Sequence, residues 1–312
     1  MSLQEKTSDV QGSWIPLSQY FDYICDFFHL DRNLKTNAAR QKYHDGWMEK
    51  YQKSISAWTD YDVAIWSVRA RQSLKLCFSS TYFALESQRA RKQGVMASAY
   101  YLGYYSVLHA MWSVIYLDPQ QTTKNVYDIT HSKILNLFHS DYAHGNNSVL
   151  GYNAKKIVGN LRFLREYYSY RMPLNSPLDQ DHELAMAFAS LGGFVKHCIQ
   201  LAHLQSQLLM KSAMRKKKAS ASLPLEQLPT FADEFFAING KEREMTQERL
   251  LDPADEFALH ESMSKGCDIM AHSLAFDHMF DDFMTCLGGT NPGEEIISET
   301  RRLVGAALYP RK

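Results

Sequence analysis

Two stretches carry side chains whose types and spacing could do chemistry. In Gly103-Tyr104-Tyr105-Ser106-Val107-Leu108-His109-Ala110, tyrosines and a histidine recur at helical intervals, which puts phenol hydroxyls and an imidazole along one helix face. In Leu164-Arg165-Glu166-Tyr167-Tyr168-Ser169-Tyr170, Arg165 stands five positions before Tyr170, with Arg162 just upstream and Arg171 just downstream. Arginine offers a planar fork of donors suited to phosphate, and an imidazole near neutral pKa is suited to moving a proton at a phosphodiester. Each group also has a plainer role. Tyr104, Tyr105 and His109 can be core residues that hydrogen-bond between helices, and Arg162 with Glu166 can be a surface pair one turn apart, with Arg165 its neighbour.

Weaker candidates lie elsewhere. Glu256 with His260, Asp268 with His272, and His278 with Asp282 are carboxylate/histidine pairs at i,i+4, each able to show two metal ligands on one helix face or simply to form a solvated one. Helical metal centres draw ligands from several helices, and no partnering cluster accompanies these, so no metal is expected. Arg215 to Lys218 is a short basic run suited to phosphate or to solvent. Arg69, Arg71, Arg89 and Arg91 make one helix basic, as a wall of a nucleic-acid groove or as a wet face. Phosphate-binding glycine loops, nucleophile elbows, zinc-finger spacings and dinucleotide fingerprints are absent, which argues against the common ATPases, hydrolases and Rossmann enzymes.

The elements that must position these groups are helices. Apolar residues from Trp14 to Phe28 follow helical spacing, and a second helix is predicted from about Asn37 to Ser56. Thr59-Asp60-Tyr61-Asp62 caps a long helix to Lys92, which Gly94 ends. The aromatic stripe lies on a helix from Met96 to Leu117, stopped by Asp118-Pro119. Helices are further predicted over about Val126 to Asp141, Asn153 to Tyr170 and Leu178 to Lys211. Beyond the exposed connector from Arg215 to Pro224, they are predicted near Phe231 to Ile238, Asp255 to Phe283 and Pro292 to Leu308. Period-two alternation is scarce. The expected fold is therefore all-α, with an N-terminal extension (1–58), a bundle (59–212), a linker (213–229) and a C-terminal helical region (230–312).

Composition bounds the function. The 312 residues balance 34 basic against 34 acidic side chains, so any polyanion site must be a local patch. Five scattered cysteines fit reduced thiols, and no apolar run is long enough to span a bilayer, so a cytoplasmic protein without membrane partners is expected.

The aromatic stripe resembles the "AYYAMFHAA" helix of HEPN (higher eukaryote and prokaryote nucleotide-binding) domains. Two further segments continue the likeness: His131-Ser132-Lys133-Ile134-Leu135-Asn136-Leu137-Phe138 looks like the family's "HSGVIALF" helix, and Leu164 to Tyr170 looks like its "LREEADY" helix end. The resemblance covers roughly residues 59–212. It implies a helical bundle that pairs with a second copy or with a partner, such as a nucleotidyltransferase antitoxin or a defence-complex subunit. It also implies RNA or nucleotide as ligand, and metal-independent RNA cleavage without a cofactor in the active members. Carried over, it makes Arg165, Tyr170 and His109 the catalytic candidates and Arg162, Arg171, Tyr104 and Tyr105 the RNA- or nucleotide-binding ones. Active members place a histidine about one turn after the arginine. Here none follows Arg165, and Tyr170 occupies that region, so a catalytically silent helical scaffold is the alternative expectation.

Overall fold

The computed structural model describes residues 36–127, 129–144, 148–150, 153–171, 189–224, 226, 266–286 and 294–309. The helices predicted over Trp14 to Phe28 and Phe231 to Ile238 lie outside these residues, as does the Glu256/His260 pair.

The molecule is all-α apart from one two-residue strand pair among the described residues. Helix α1 runs Asn37–Ile55, and Thr36 caps it by accepting from the Ala39 N–H. Helix α2, Asp60–Lys92, begins with a capping box: the Thr59 hydroxyl accepts from Asp62 N–H, and Asp62 accepts from Thr59 N–H at 2.7 Å. It ends where Gly94 takes a φ of 78°, which lets Val95 N–H reach back to Ala90 C=O at 2.9 Å. Only a residue without a Cβ adopts that conformation readily. The tight turn folds helix α3, Met96–Tyr116, back along α2 as the central helical hairpin.

The helix predicted over Val126 to Asp141 is broken. It divides into α4, Thr123–Tyr127, α5, His131–Phe138, and a π-helical turn, His139–Ala143. The break has a local cause. Thr130 turns extended (φ −77°, ψ 154°) and accepts from Lys133 N–H as the cap of α5, so His131 becomes a first-turn residue. Helix α6, Ala154–Tyr170, follows, capped by Asn153.

Helix α7, Leu191–Arg215, is buried on every side from Cys198 to Met210, packed among α1, α2 and α3. Strand β1, Ser220–Ala221, then pairs antiparallel with β2, Cys267–Asp268. Helices α8, His272–Cys286, and α9, Glu294–Leu308, cover α2, where Phe78 packs on Phe276 and Phe280 with centroids 5.6 Å apart. The described C-terminal elements thus share one apolar core with the bundle.

Two expectations fail here. Asp268 lies in β2 and His272 opens α8, so they do not share a helix face. Arg69 is 1% exposed and cannot line a groove. Its guanidinium lies 3.8 Å over the Trp66 ring and donates to the carbonyls of Tyr116, Asp118 and Gln121, holding the C-terminal end of α3 where helix carbonyls lack partners.

Candidate functional site

Three helices meet around the Tyr104 ring. On α3, Tyr104 is nearly buried, its neighbour Tyr105 is half-buried and Tyr101, one turn before Tyr105, is 49% exposed. From α6, the Arg165 guanidinium lies 4.6 Å over the Tyr104 ring, a cation–π contact. From the first turn of α5, His131 brings Nδ1 to 3.2 Å from the Tyr104 hydroxyl, and its ring meets Tyr105 edge-on at 5.6 Å. An imidazole and a guanidinium therefore flank one phenol.

Glu166 supplies the counter-charge. One of its oxygens accepts from Arg162 Nε at 2.8 Å and from Arg165 at 3.2 Å. The Arg162 bond holds the Glu166 carboxyl below the usual carboxylate range, and the same bond raises the Arg162 guanidinium. Arg162 is the exposed member of the pair of arginines; the Arg165 side chain is only 19% exposed.

Burial, then the charges of Arg165 and Arg162, lower His131 from the ordinary histidine value, so it is neutral at pH 7. Burial raises both Tyr104 and Tyr105, and for Tyr104 the arginines oppose the rise without cancelling it. The phenols are hydrogen-bonding groups here, not bases.

The other sequence candidates fall outside this contact. His109 points into the α2/α3 seam, where Nδ1 meets Ser79 Oγ at 2.9 Å and the ring packs on Phe83 at 5.2 Å. Burial, with a lesser contribution from His131, pushes it down to about 4. Among the described residues, its ring contact with the cluster is through Tyr105, 6.3 Å away. Tyr170 ends α6 and is 79% exposed, and Arg171 is the exposed residue that closes the helix. Among the described residues, no hydrogen bond or ion pair joins either to the Tyr104 cluster.

His131 had no assigned role in the sequence, although it opens the segment His131 to Phe138. Its signal was the threonine before it: a capped first-turn residue projects back over the turn that precedes the helix. Among the described residues, no group of three or more His, Cys, Asp or Glu side chains could hold a metal ion, and no helix is long and apolar enough to cross a membrane. No protein-family model, curated protein or solved structure matches this chain.

Proposed function

We propose that the face built from Tyr104, His131, Arg162 and Arg165 binds an RNA phosphodiester and cleaves it without a metal, in a defence or toxin–antitoxin type system. The observation that supports this is the pairing of a neutral imidazole and a guanidinium on one phenol. With Nδ1–H donating to the Tyr104 oxygen, His131 Nε2 carries the lone pair that takes the 2′-hydroxyl proton. The 2′-oxygen then attacks phosphorus, the arginines hold the charge that develops on the phosphoryl oxygens, and the 5′-oxygen leaves with a proton from water. The HEPN-like segments supply the same chemistry by resemblance, with His131 standing in for the histidine that does not follow Arg165.

A second function class also has an observation in its favour. Glu166 engages both arginines and cancels one of their two charges, which suits a silent module that binds RNA or a partner protein.

The test incubates purified protein with total RNA and a defined tRNA in chelator, comparing wild type with Arg165→Ala and His131→Gln. Loss of cleavage by about a hundredfold or more in His131→Gln is the expected result. The rate should rise with pH through a pKa below 6.5 and level off by neutrality, because His131 acts unprotonated. RNA binding that needs Arg165 with no cleavage would select the silent module, and neither binding nor cleavage would end both readings.

A further inference from the structure

Beside the Tyr104 cluster, α3 carries an aromatic ladder that phosphate chemistry does not use. Tyr101 and Tyr105 have ring centroids 4.7 Å apart, and Tyr105 stands edge-on to Tyr104 at 5.3 Å and to His131 at 5.6 Å. The ladder thus runs without interruption from the ring under Arg165 to Tyr101, the most exposed tyrosine of α3. A single exposed aromatic needs no explanation. One tilted at 43° against a second ring that itself meets the His131 imidazole and the Tyr104 ring under Arg165 is different.

We infer that Tyr101 and Tyr105 form a stacking platform for an unpaired base whose own phosphate lies at Arg165, making the ligand a single RNA strand. This rests on the phosphodiester reading of the same site.

Geometry and charge both favour a single strand. Tyr101 is joined to the ring under Arg165 through Tyr105 alone, with successive centroids 4.7 and 5.3 Å apart, so a base on Tyr101 and a phosphate at Arg165 sit at the two ends of one short ladder. A duplex hides its base faces and is gripped through long tracks of sugar and phosphate. Here two arginines share one glutamate, too little charge to follow a duplex backbone. A single strand exposes base faces, and stacking on aromatic rings beside a few cations is the usual way such strands are held.

The experiment measures binding of labelled RNA of one length as a single strand and as a blunt duplex, with AMP as competitor, to the full-length protein and to Tyr101→Ala, Tyr101→Trp and Arg165→Ala. A cleavage-blocking 2′-O-methyl backbone keeps the probe intact. The single strand should bind at least about tenfold tighter than the duplex, Tyr101→Ala should lose about tenfold for the single strand alone, and Tyr101→Trp should restore it. AMP should compete, since it offers one base with its own phosphate, but at higher concentration than the strand, whose next phosphate also reaches Arg162. Tyr101 is half-exposed, so the melting temperature of Tyr101→Ala should match wild type and separate lost stacking from lost fold. Equal affinity for both probes, or no change in Tyr101→Ala while Arg165→Ala still weakens binding, would overturn the stacking platform and leave the phosphate site standing. No binding of either probe, or binding indifferent to Arg165→Ala, would overturn the phosphodiester site as well.

Discussion

Arg69 and Arg165 make the same contact and serve opposite ends. Each guanidinium lies over an aromatic ring, Trp66 at 3.8 Å and Tyr104 at 4.6 Å. Arg69 is wholly enclosed, spends its donors on three backbone carbonyls, and is pushed down to about 10 by burial. Arg165 stands at the edge of the bundle with one carboxylate bond, shared with Arg162. An enclosed arginine that commits every nitrogen to backbone carbonyls holds a fold together, whereas one at an open edge beside a neutral imidazole can meet a ligand.

The histidines divide the same way. His203 and His272 are fully buried and pushed down to about 3 by burial. His131 is lowered by burial and by two arginines at an open face.

The sharpest way to break the comparison is Arg69→Ala. The carbonyls of Tyr116, Asp118 and Gln121 would each lose a charged donor, so stability should fall by about 3–5 kcal/mol, read as a lower urea midpoint or as failure to fold. If the variant melts like wild type, Arg69 is not the staple described.

Acid should act next most strongly. His203 and His272 are neutral in the fold and titrate near 6.5 when unfolded, so their contribution is complete above pH 6.5 and is lost as pH falls toward about 3. Each costs about 1.4 kcal/mol per pH unit over that span, on the order of 2 kcal/mol each at pH 5. Urea midpoints at pH 7 and pH 5 should show the loss, and His272→Leu should flatten it.

At the open face the effect should appear in binding and not in stability. Arg165→Ala should weaken RNA binding about tenfold while costing under about 1 kcal/mol, the worth of a partly exposed cation–π contact, as paired binding and melting curves would show. Smallest of all should be Tyr170→Ala and Arg171→Ala. Both side chains are exposed at the end of α6, so melting should stay within about 0.5 kcal/mol of wild type. A large loss of RNA binding in either would move the site toward that helix end.

Much of this was legible before any packing was known. Thr59 with Asp62, Gly94, and Asp118-Pro119 bound α2 and α3 within a residue or two, and Asn153 opens α6. Caps, turns and proline act over four or five neighbouring residues, so the chain's local order carries them. The position of Arg165 on a helix end, the aromatic stripe and the all-α class come from the same short-range periodicity.

Burial and partnership do not. Arg69 and Arg89 stand on one helix and are each followed by Ala-Arg, yet one lies beneath the end of α3 and the other in solvent. The role of His131 depends on α5 being broken off at Thr130 and laid against α3, 27 residues away from Tyr104. Asp268 and His272 share a helical interval, but the pairing of β2 with β1 takes the first of them out of the helix. Local propensity chose the helices. Which arginine is enclosed, and which histidine meets a guanidinium, was decided by the faces that distant helices bury together.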